Sequence, residues 1–284
     1  MDYREFGWTG DKVSVIGMGT YYDPFFIASA MLLRHQNSRD NKIAALRTGL
    51  DLGINLIDTA EVYQTENLVS QAIKGHKRDD LFIATKVSPH HLRYSSVLKA
   101  ADNSLKRLQL SYIDLYQIHF PNPAVPVEST MKAMEKLVED GKIRHIGVSN
   151  FSLEQMKRAE NALSSNKLAS NQVEYNLKAR SVEGSVVQHC EENKIAILPY
   201  RPVAHGILTN PAGALRSTME EISRKHEGKT PAQIALNWLI TKSRLNFPIP
   251  RASRPQRVIE DAGAAGWELD SDDMRNLEEA VKTS

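Results

Sequence analysis

The sequence predicts an α/β protein, a (β/α)8 TIM barrel forming a single domain over residues 1–284, and three observations predict it. Short apolar, β-branched-rich runs recur eight times at intervals of roughly 30 residues, the spacing of strand–helix units. Helical patterns fill the gaps between them. No linker, low-complexity stretch or charge run interrupts the series. A doubly wound sheet is the competing architecture, because it too is built from buried parallel strands.

In chain order, about the first 12 residues predict a β-hairpin closing the barrel floor, with Trp8, Thr9, Gly10 and Asp11 as its turn. The strand runs begin near Val13 (VSVIGMGT), Ile54 (INLID), Leu81 (LFIATKV), Tyr112 (YIDLYQIH), Ile143 (IRHIGVS), Asn171 (NQVEYN), Ile195 (IAILPY) and Leu245 (LNFPIP). Continuous apolar character marks strands buried on both faces. Between them, Ile43, Leu46 and Leu50 repeat at helical spacing and stop at Gly53. Val97, Ala101, Leu105 and Leu108 repeat likewise, and Met131, Met134, Leu137 and Val138 stop at Gly141. A glycine just past a helix end takes the left-handed cap without a side-chain clash. Ser152 with Gln155, and Thr230 with Gln233, fit capping boxes, the second with Pro231 at the first helical position. Residues 212–227 predict an extra helix between the seventh strand and its own helix.

Composition narrows the function. The 36 Lys and Arg against 34 Asp and Glu leave a net charge of +2, unlike the strongly basic footprint of a dedicated nucleic-acid binder. Cys190 is the one cysteine, so no disulfide framework or cysteine-based zinc site can form, and a small buried apolar role is expected for it. The N-terminus lacks a signal-peptide core, and no stretch is apolar for the length of a membrane span. A protein of a reducing, cytoplasmic compartment is expected. His90 and His91 lack ligand-like spacing and no HExxH occurs, so no metal is implied. Gly17 and Gly19 begin a dinucleotide fingerprint that lacks its third glycine, and Gly228-Lys229-Thr230 ends a P-loop whose first glycine is missing. Neither is retained.

In a barrel of this kind the active site lies at the carboxyl ends of the strands. Those ends bring Asp58 and Tyr63 from the second strand, Lys86 from the third and His119 from the fourth. Ser149 and Asn150 follow on the fifth, Gln172 on the sixth, Tyr200 on the seventh and Arg251 on the eighth. Alone, each residue type is ordinary at a strand end. Together, four of them fit one task. A phenol titrates near 10. A buried ammonium at Lys86 would stabilise its anion, and Asp58 would keep that ammonium charged and oriented. Tyr63 then becomes a proton donor to a carbonyl oxygen, which His119 can orient by a hydrogen bond. The set contains no nucleophile or metal, so it suits proton delivery paired with a cofactor hydride.

These segments resemble those of the aldo-keto reductases. LIDTAEVYQTEN is similar to the family's segment carrying Asp and Tyr, IATKV to the one carrying Lys, and DLYQIHF to the one carrying His. GKIRHIGVSNF, NQVEYN, LPYRPVAHG and IPRASRPQRVIED match later motifs in order, so the likeness covers essentially the whole chain. It implies that Asp58, Tyr63, Lys86 and His119 form a catalytic tetrad and that NADPH or NADP+ is the cofactor, with a small-molecule carbonyl compound as substrate. It further implies that Ser149, Asn150 and Gln172 bond the carboxamide and Tyr200 stacks on the nicotinamide. Thr20 and Tyr21 would line the nicotinamide and substrate, and Arg251, Ser253, Arg257, Glu260 and Asp261 would fall in the adenosine and 2′-phosphate segment. The sequence departs from the family at four cofactor positions. Arg201 replaces a Ser and can clamp the pyrophosphate, Arg251-Ala252 replaces Lys-Ser, and Asp261 stands where Asn is commoner.

The connection at residues 21–40 is far longer than the usual few residues. It holds Tyr21, Tyr22, Phe25, Phe26, Ile27, Met31, Leu32 and Leu33, too apolar for a solvated loop. Part of it is expected to form a short helix, with Tyr22 and Phe120 in the wall of an apolar substrate pocket. Two other functions fit the same fold: a catalytically idle NADP(H)-binding regulatory subunit, and a lyase using Lys86 as a Schiff base. The oligomeric state is not legible in the sequence.

Overall fold

The computed structural model describes residues 1–22 and 39–282. Its framework is a run of seven parallel strands, hydrogen-bonded in chain order: β3 (Met18–Gly19), β4 (Leu56–Asp58), β5 (Phe82–Val87), β6 (Ile113–Ile118), β7 (Ile143–Ser149), β8 (Leu168–Glu174) and β9 (Ala196–Tyr200). A doubly wound sheet would reverse its strand order at some point. This one does not, and residues 245–251 close it into a barrel.

The closing segment bonds both neighbours without forming a full ladder. On one side Phe247 and Ile249 donate to the carbonyls of Ile197 and Pro199. On the other, Gly17 and Gly19 donate to the carbonyls of Pro248 and Pro250. Pro248 and Pro250 have no N–H to return toward β3, and the return bond comes from Ala252, which donates to the Gly19 carbonyl. The expected eighth strand is present as this incomplete seam.

The run VSVIGMGT serves two sheets, where one barrel strand was expected. Its start, β2 (Lys12–Ser14), pairs antiparallel with β1 (Tyr3–Glu5), and only Met18–Gly19 joins the barrel. The chain turns between them, with the Ser14 hydroxyl donating to the Ile16 carbonyl. The hairpin plugs the floor as expected. Phe6 is fully buried, its ring 4.7 Å from Phe82 and 5.0 Å from Phe247. The turn is fastened to the barrel's underside. Asp11 accepts from Arg144 and His145, and the Trp8 indole donates to the Leu168 carbonyl.

Ten helices accompany the barrel among the described residues: α1 (Arg39–Asp51), α2 (Glu66–Ala72), α3 (Tyr94–Leu108), α4 (Val127–Glu139), α5 (Leu153–Asn161), α6 (Gln188–Asn193), α7 (Gly213–Lys225), α8 (Pro231–Lys242), α9 (Pro255–Ala262) and α10 (Ser271–Lys282). Helix α7 is the predicted extra helix. Both capping boxes form: Ser152 accepts from the Gln155 N–H and Thr230 from the Gln233 N–H, and each glutamine side chain returns the bond. The predicted stripes on α3 and α4 face inward, with Val97, Leu105, Met131 and Met134 all buried. Cys190 is buried and reduced. No described helix is long and apolar enough to cross a membrane.

Candidate active site

Side chains alternate along a strand, so every second residue points into the barrel. On β4 the inward series runs from Leu56 to Asp58, on β5 from Phe82 through Ala84 to Lys86, and on β6 from Leu115 to Gln117 and on to His119. The lower members form one apolar cluster with Phe6 and Phe247. The upper members are polar and still buried: Asp58 is 2% exposed, Lys86 0% and His119 6%. Gly147 makes this crowding possible, because a Cβ there would lie 2.4 Å from Ser170 Oγ and 2.8 Å from Gln117 Cγ.

Lys86 is held on three sides. Its Nζ donates to Asp58 Oδ1 (2.8 Å), Asp58 Oδ2 (2.6 Å) and the Thr59 carbonyl (2.8 Å). Gln172 Nε2 also donates to Asp58 Oδ1, at 2.8 Å. Burial pulls the Lys86 ammonium below its ordinary range, while Asp58 works to keep it charged. A hydroxyl chain fixes the backbone behind the pair: Thr20 Oγ1 donates to the Asp58 carbonyl and pairs with Thr65, which pairs with Thr59.

Tyr63 stands on a single 3-10 turn, Glu61–Tyr63, directly after β4, and the turn ends at Gln64 in the left-handed conformation. Its hydroxyl lies 3.2 Å from His119 Nε2, and Lys86 Nζ lies 4.9 Å from its ring centroid. The expected lowering of the phenol by Lys86 is not found. The ammonium is spent on Asp58 and Thr59 and sits over the ring, while burial and the Asp58 charge hold the phenol well above 10. Tyr63 is therefore a firmly protonated donor. Burial, with the Lys86 charge, pushes His119 down to about 3, so its imidazole is neutral. Its Nδ1 is buried without a partner among the described residues. Placing the ring hydrogen on Nε2 leaves an acceptor, not a donor, unpaired there, and directs an N–H into the site.

The neighbouring rim is equally connected. Ser149 Oγ donates to the Gln172 carbonyl, Asn150 Nδ2 to Ser149 Oγ and the His119 carbonyl, and the Tyr200 hydroxyl to Asn150 Oδ1. Arg201 pairs with Glu174 at 3.1 Å. Around the start of α9, Arg251 and Arg254 are exposed, Ser253 is half-buried and Arg257 pairs with Glu260 at 2.8 Å. Asp261 is buried.

Two expectations fail at the end of β3. Thr20 is fully buried, its hydroxyl donating to the Asp58 carbonyl and paired with Thr65 rather than free for a ligand. Tyr22 is 2% exposed, packed in the core with Lys42 over its ring, so it cannot wall a substrate pocket. Tyr21 takes that place. It is 43% exposed, edge-on to Tyr63 at 5.2 Å, while Phe120 stacks on His119 at 5.0 Å. Phe25, Phe26, Ile27, Met31, Leu32 and Leu33 lie outside the described residues.

One added role and two further residues escape a reading of strand ends alone. Gln172 supports Asp58 as well as the rim. Gln117 lies buried below His119, and counting back by twos from His119 would have found it. Glu61 accepts from the Ser88 N–H and His91, tying the Tyr63 turn to the loop after β5.

Comparison with known proteins agrees with this geometry. The family model described as "Aldo/keto reductase family" matches residues 28–282. Aldo-keto reductase YhdN of Bacillus subtilis is 32% identical, with 98% of this chain and 92% of that protein covered. Methylglyoxal reductase YeaE of Escherichia coli is also 32% identical, with 99% and 95% covered. The crystal structure of an aldo/keto reductase from Klebsiella pneumoniae in complex with NADP and acetate superposes with a TM-score of 0.84 at 32% identity, covering 98% of this chain and 95% of that one. With a family match over most of its length and two such relatives, this chain belongs to the aldo/keto reductase family.

Proposed function

We propose that this protein reduces small aldehydes or ketones to alcohols with NADPH, in a cytoplasmic setting, with Tyr63 as the proton donor. The observation that carries the reading is the buried Lys86–Asp58 pair set against the Tyr63–His119 hydrogen bond on one rim.

The chain's own residues suit the cofactor. Ser149, Asn150 and Gln172 present hydroxyl and amide groups suited to a carboxamide, and the Tyr200 ring stands half-buried beside them. Arg251, Arg254 and Arg257 gather at the start of α9, where their guanidinium groups and the positive end of the helix favour a phosphate. When bound, the reduced nicotinamide supplies a hydride to the carbonyl carbon. The protein supplies the proton. The Tyr63 hydroxyl gives its hydrogen to the carbonyl oxygen, which the His119 Nε2–H orients. The Lys86 ammonium lies over the Tyr63 ring, and Asp58, itself held by Gln172, keeps it there as negative charge develops on the phenol. Hydrogen bonds of this kind are often loose before substrate binds, so a 3.2 Å contact is compatible with the role.

Tyr21 and Phe120 flank the reacting position with exposed aromatic faces. A relative that reduces methylglyoxal supports a short, reactive carbonyl as substrate. The Schiff-base reading is disfavoured by Lys86 itself, whose three donors are all engaged in a fully buried site. The test is an NADPH-coupled panel of short aldehydes, 2-oxoaldehydes, ketones and sugars, followed by loss of the nicotinamide's near-ultraviolet absorbance. Turnover of at least one reactive aldehyde is expected. NADPH binding without turnover on any member would support the idle regulatory subunit instead.

A further inference from the structure

Tyr63 is rooted differently from the residues it works with. Asp58 and Lys86 lie on strands β4 and β5. His119 follows β6 directly, its N–H on the Val87 carbonyl and its own carbonyl accepting from Asn150. Tyr63 stands on one 3-10 turn, Glu61–Tyr63, and Ala60 at the entry of that turn has no side chain that can cap it. Hydrogen bonds within such a turn have poor geometry. The flanks are clamped to each other, Thr59 to Thr65 through their hydroxyls at 2.8 Å. The turn stands out from that clamp, so its inclination depends on a bond to a neighbouring element.

Glu61 makes that bond. Its Oε2 accepts from the Ser88 N–H at 2.8 Å, and its Oε1 lies 2.8 Å from His91 Nδ1. Ser88 enters a second single turn, Pro89–His91, and its hydroxyl accepts from the His90 N–H. Beyond it, Asn122 Nδ2 donates to the Pro89 carbonyl at 2.8 Å, while Asn122 Oδ1 accepts from the Ala124 N–H at 3.0 Å. Asn122 lies three residues past His119. The loops after β4, β5 and β6 are thereby joined in series. The first carries Tyr63 and the last continues from His119.

On the reading that Tyr63 delivers the proton, we infer that Glu61 is a positioning residue: by anchoring the Tyr63 turn on the Ser88 N–H, it sets where the phenol hydroxyl stands against His119. A carboxylate on a backbone N–H makes a charge-assisted bond, roughly twice as strong as a neutral one. The Glu61 side chain is 15% exposed, so water competes poorly for it. The His91 half of the contact is weaker, because that ring is half exposed and exposed pairs contribute little. With its carboxylate spent on Ser88 and His91, Glu61 acts on the chemistry through the placement of Tyr63. Placement matters steeply, since a misplacement of about 1 Å can cost about 10²-fold in rate.

A brace depends on reach more than on charge. Gln at 61 keeps the reach and one accepting oxygen. Asp keeps the charge but is one methylene shorter, and its carboxylate falls short of the Ser88 N–H. A residue acting by its field on Tyr63 or His119 would show the opposite order, with Asp active and Gln impaired.

The experiment follows single-turnover reduction of methylglyoxal by NADPH in the wild type, Glu61→Ala, Glu61→Gln and Glu61→Asp, in water and in deuterium oxide. The Kd for NADPH and thermal unfolding are measured alongside. Ala and Asp should slow the step about 10- to 100-fold, and Gln by about fivefold or less, the difference between a charged and a neutral acceptor. NADPH should bind all four proteins within about twofold. The solvent isotope effect should grow in the slow variants, because proton delivery takes a larger share of their barrier. Wild-type speed in Glu61→Ala, a faster Asp than Gln, or slowing with an unchanged isotope effect would each overturn the inference. If Glu61→Ala does not fold, the order of Gln and Asp still decides. A wild type that binds NADPH and reduces neither methylglyoxal nor any other aldehyde would instead overturn the reading of Tyr63 on which the inference rests.

Discussion

Strand β5 has Phe82 at its lower end and Lys86 one turn of the pleat above Ala84, both pointing into the same barrel. At the floor, Phe82 meets Phe6 and Phe247, and shape alone holds the contact. At the rim, Lys86 meets Asp58, Thr59 and, through Asp58, Gln172. The apolar layer tolerates substitution in proportion to the volume lost. The polar layer does not, because removing one partner strands another in a dry site. Both layers hold the barrel together, while the candidate chemistry sits at the rim alone, on strands common to both.

The sharpest way to break this contrast is Lys86→Met. It leaves the Asp58 carboxylate buried with one neutral donor, and should cost about 3–5 kcal/mol in denaturant unfolding as well as activity. Adding Asp58→Asn should restore much of the stability and none of the activity. Restored turnover in the double variant would mean the charge pair is structural only. Phe6→Ala probes the other end: about 3–4 kcal/mol of stability should be lost to the cavity. The kcat, assayed well below the unfolding temperature, should stay within about twofold of wild type; a large kcat loss would show that the two layers are coupled.

Smaller effects should come from outside both layers. Arg257→Ala should raise the Kd for NADP+ about 10- to 100-fold, the worth of one charge-assisted contact, and leave NAD+ binding unchanged. Equal losses for both cofactors would place the 2′-phosphate elsewhere. Ser152→Ala removes one exposed capping bond at the start of α5, two residues past Asn150, and should lower stability by about 1 kcal/mol with no change in kcat. It sets the baseline for a purely local effect.

Much of this was legible in the sequence, for reasons specific to each residue. The floor hairpin, the strand runs and both capping boxes follow from patterns local to a few residues. Asp58, Lys86 and His119, each ordinary alone at a strand end, were legible because consecutive strands bring them to one rim. Tyr21 and Tyr22 were both read as facing the site, yet neighbours in an extended segment point to opposite faces, so Tyr21 stays exposed and Tyr22 is buried. Thr20 was misplaced for a related reason: a hydroxyl can satisfy a carbonyl behind the site as readily as a ligand in front of it. The seam at 245–251 reads as a strand by composition, yet its prolines delete bonds that only the barrel's closure reveals. The Gln172–Asp58 bond joins residues 114 positions apart and has no local signature.

The central claim is that the Tyr63 hydroxyl delivers the proton. Its most direct test is Tyr63→Phe, assayed in single turnover with a reactive aldehyde alongside the Kd for NADPH. The ring still packs against Tyr21 and His119, so NADPH should bind nearly as before, while the chemical step should slow by about 10²–10⁴-fold. A variant that keeps more than about a tenth of the wild-type single-turnover rate would show that another group is the acid.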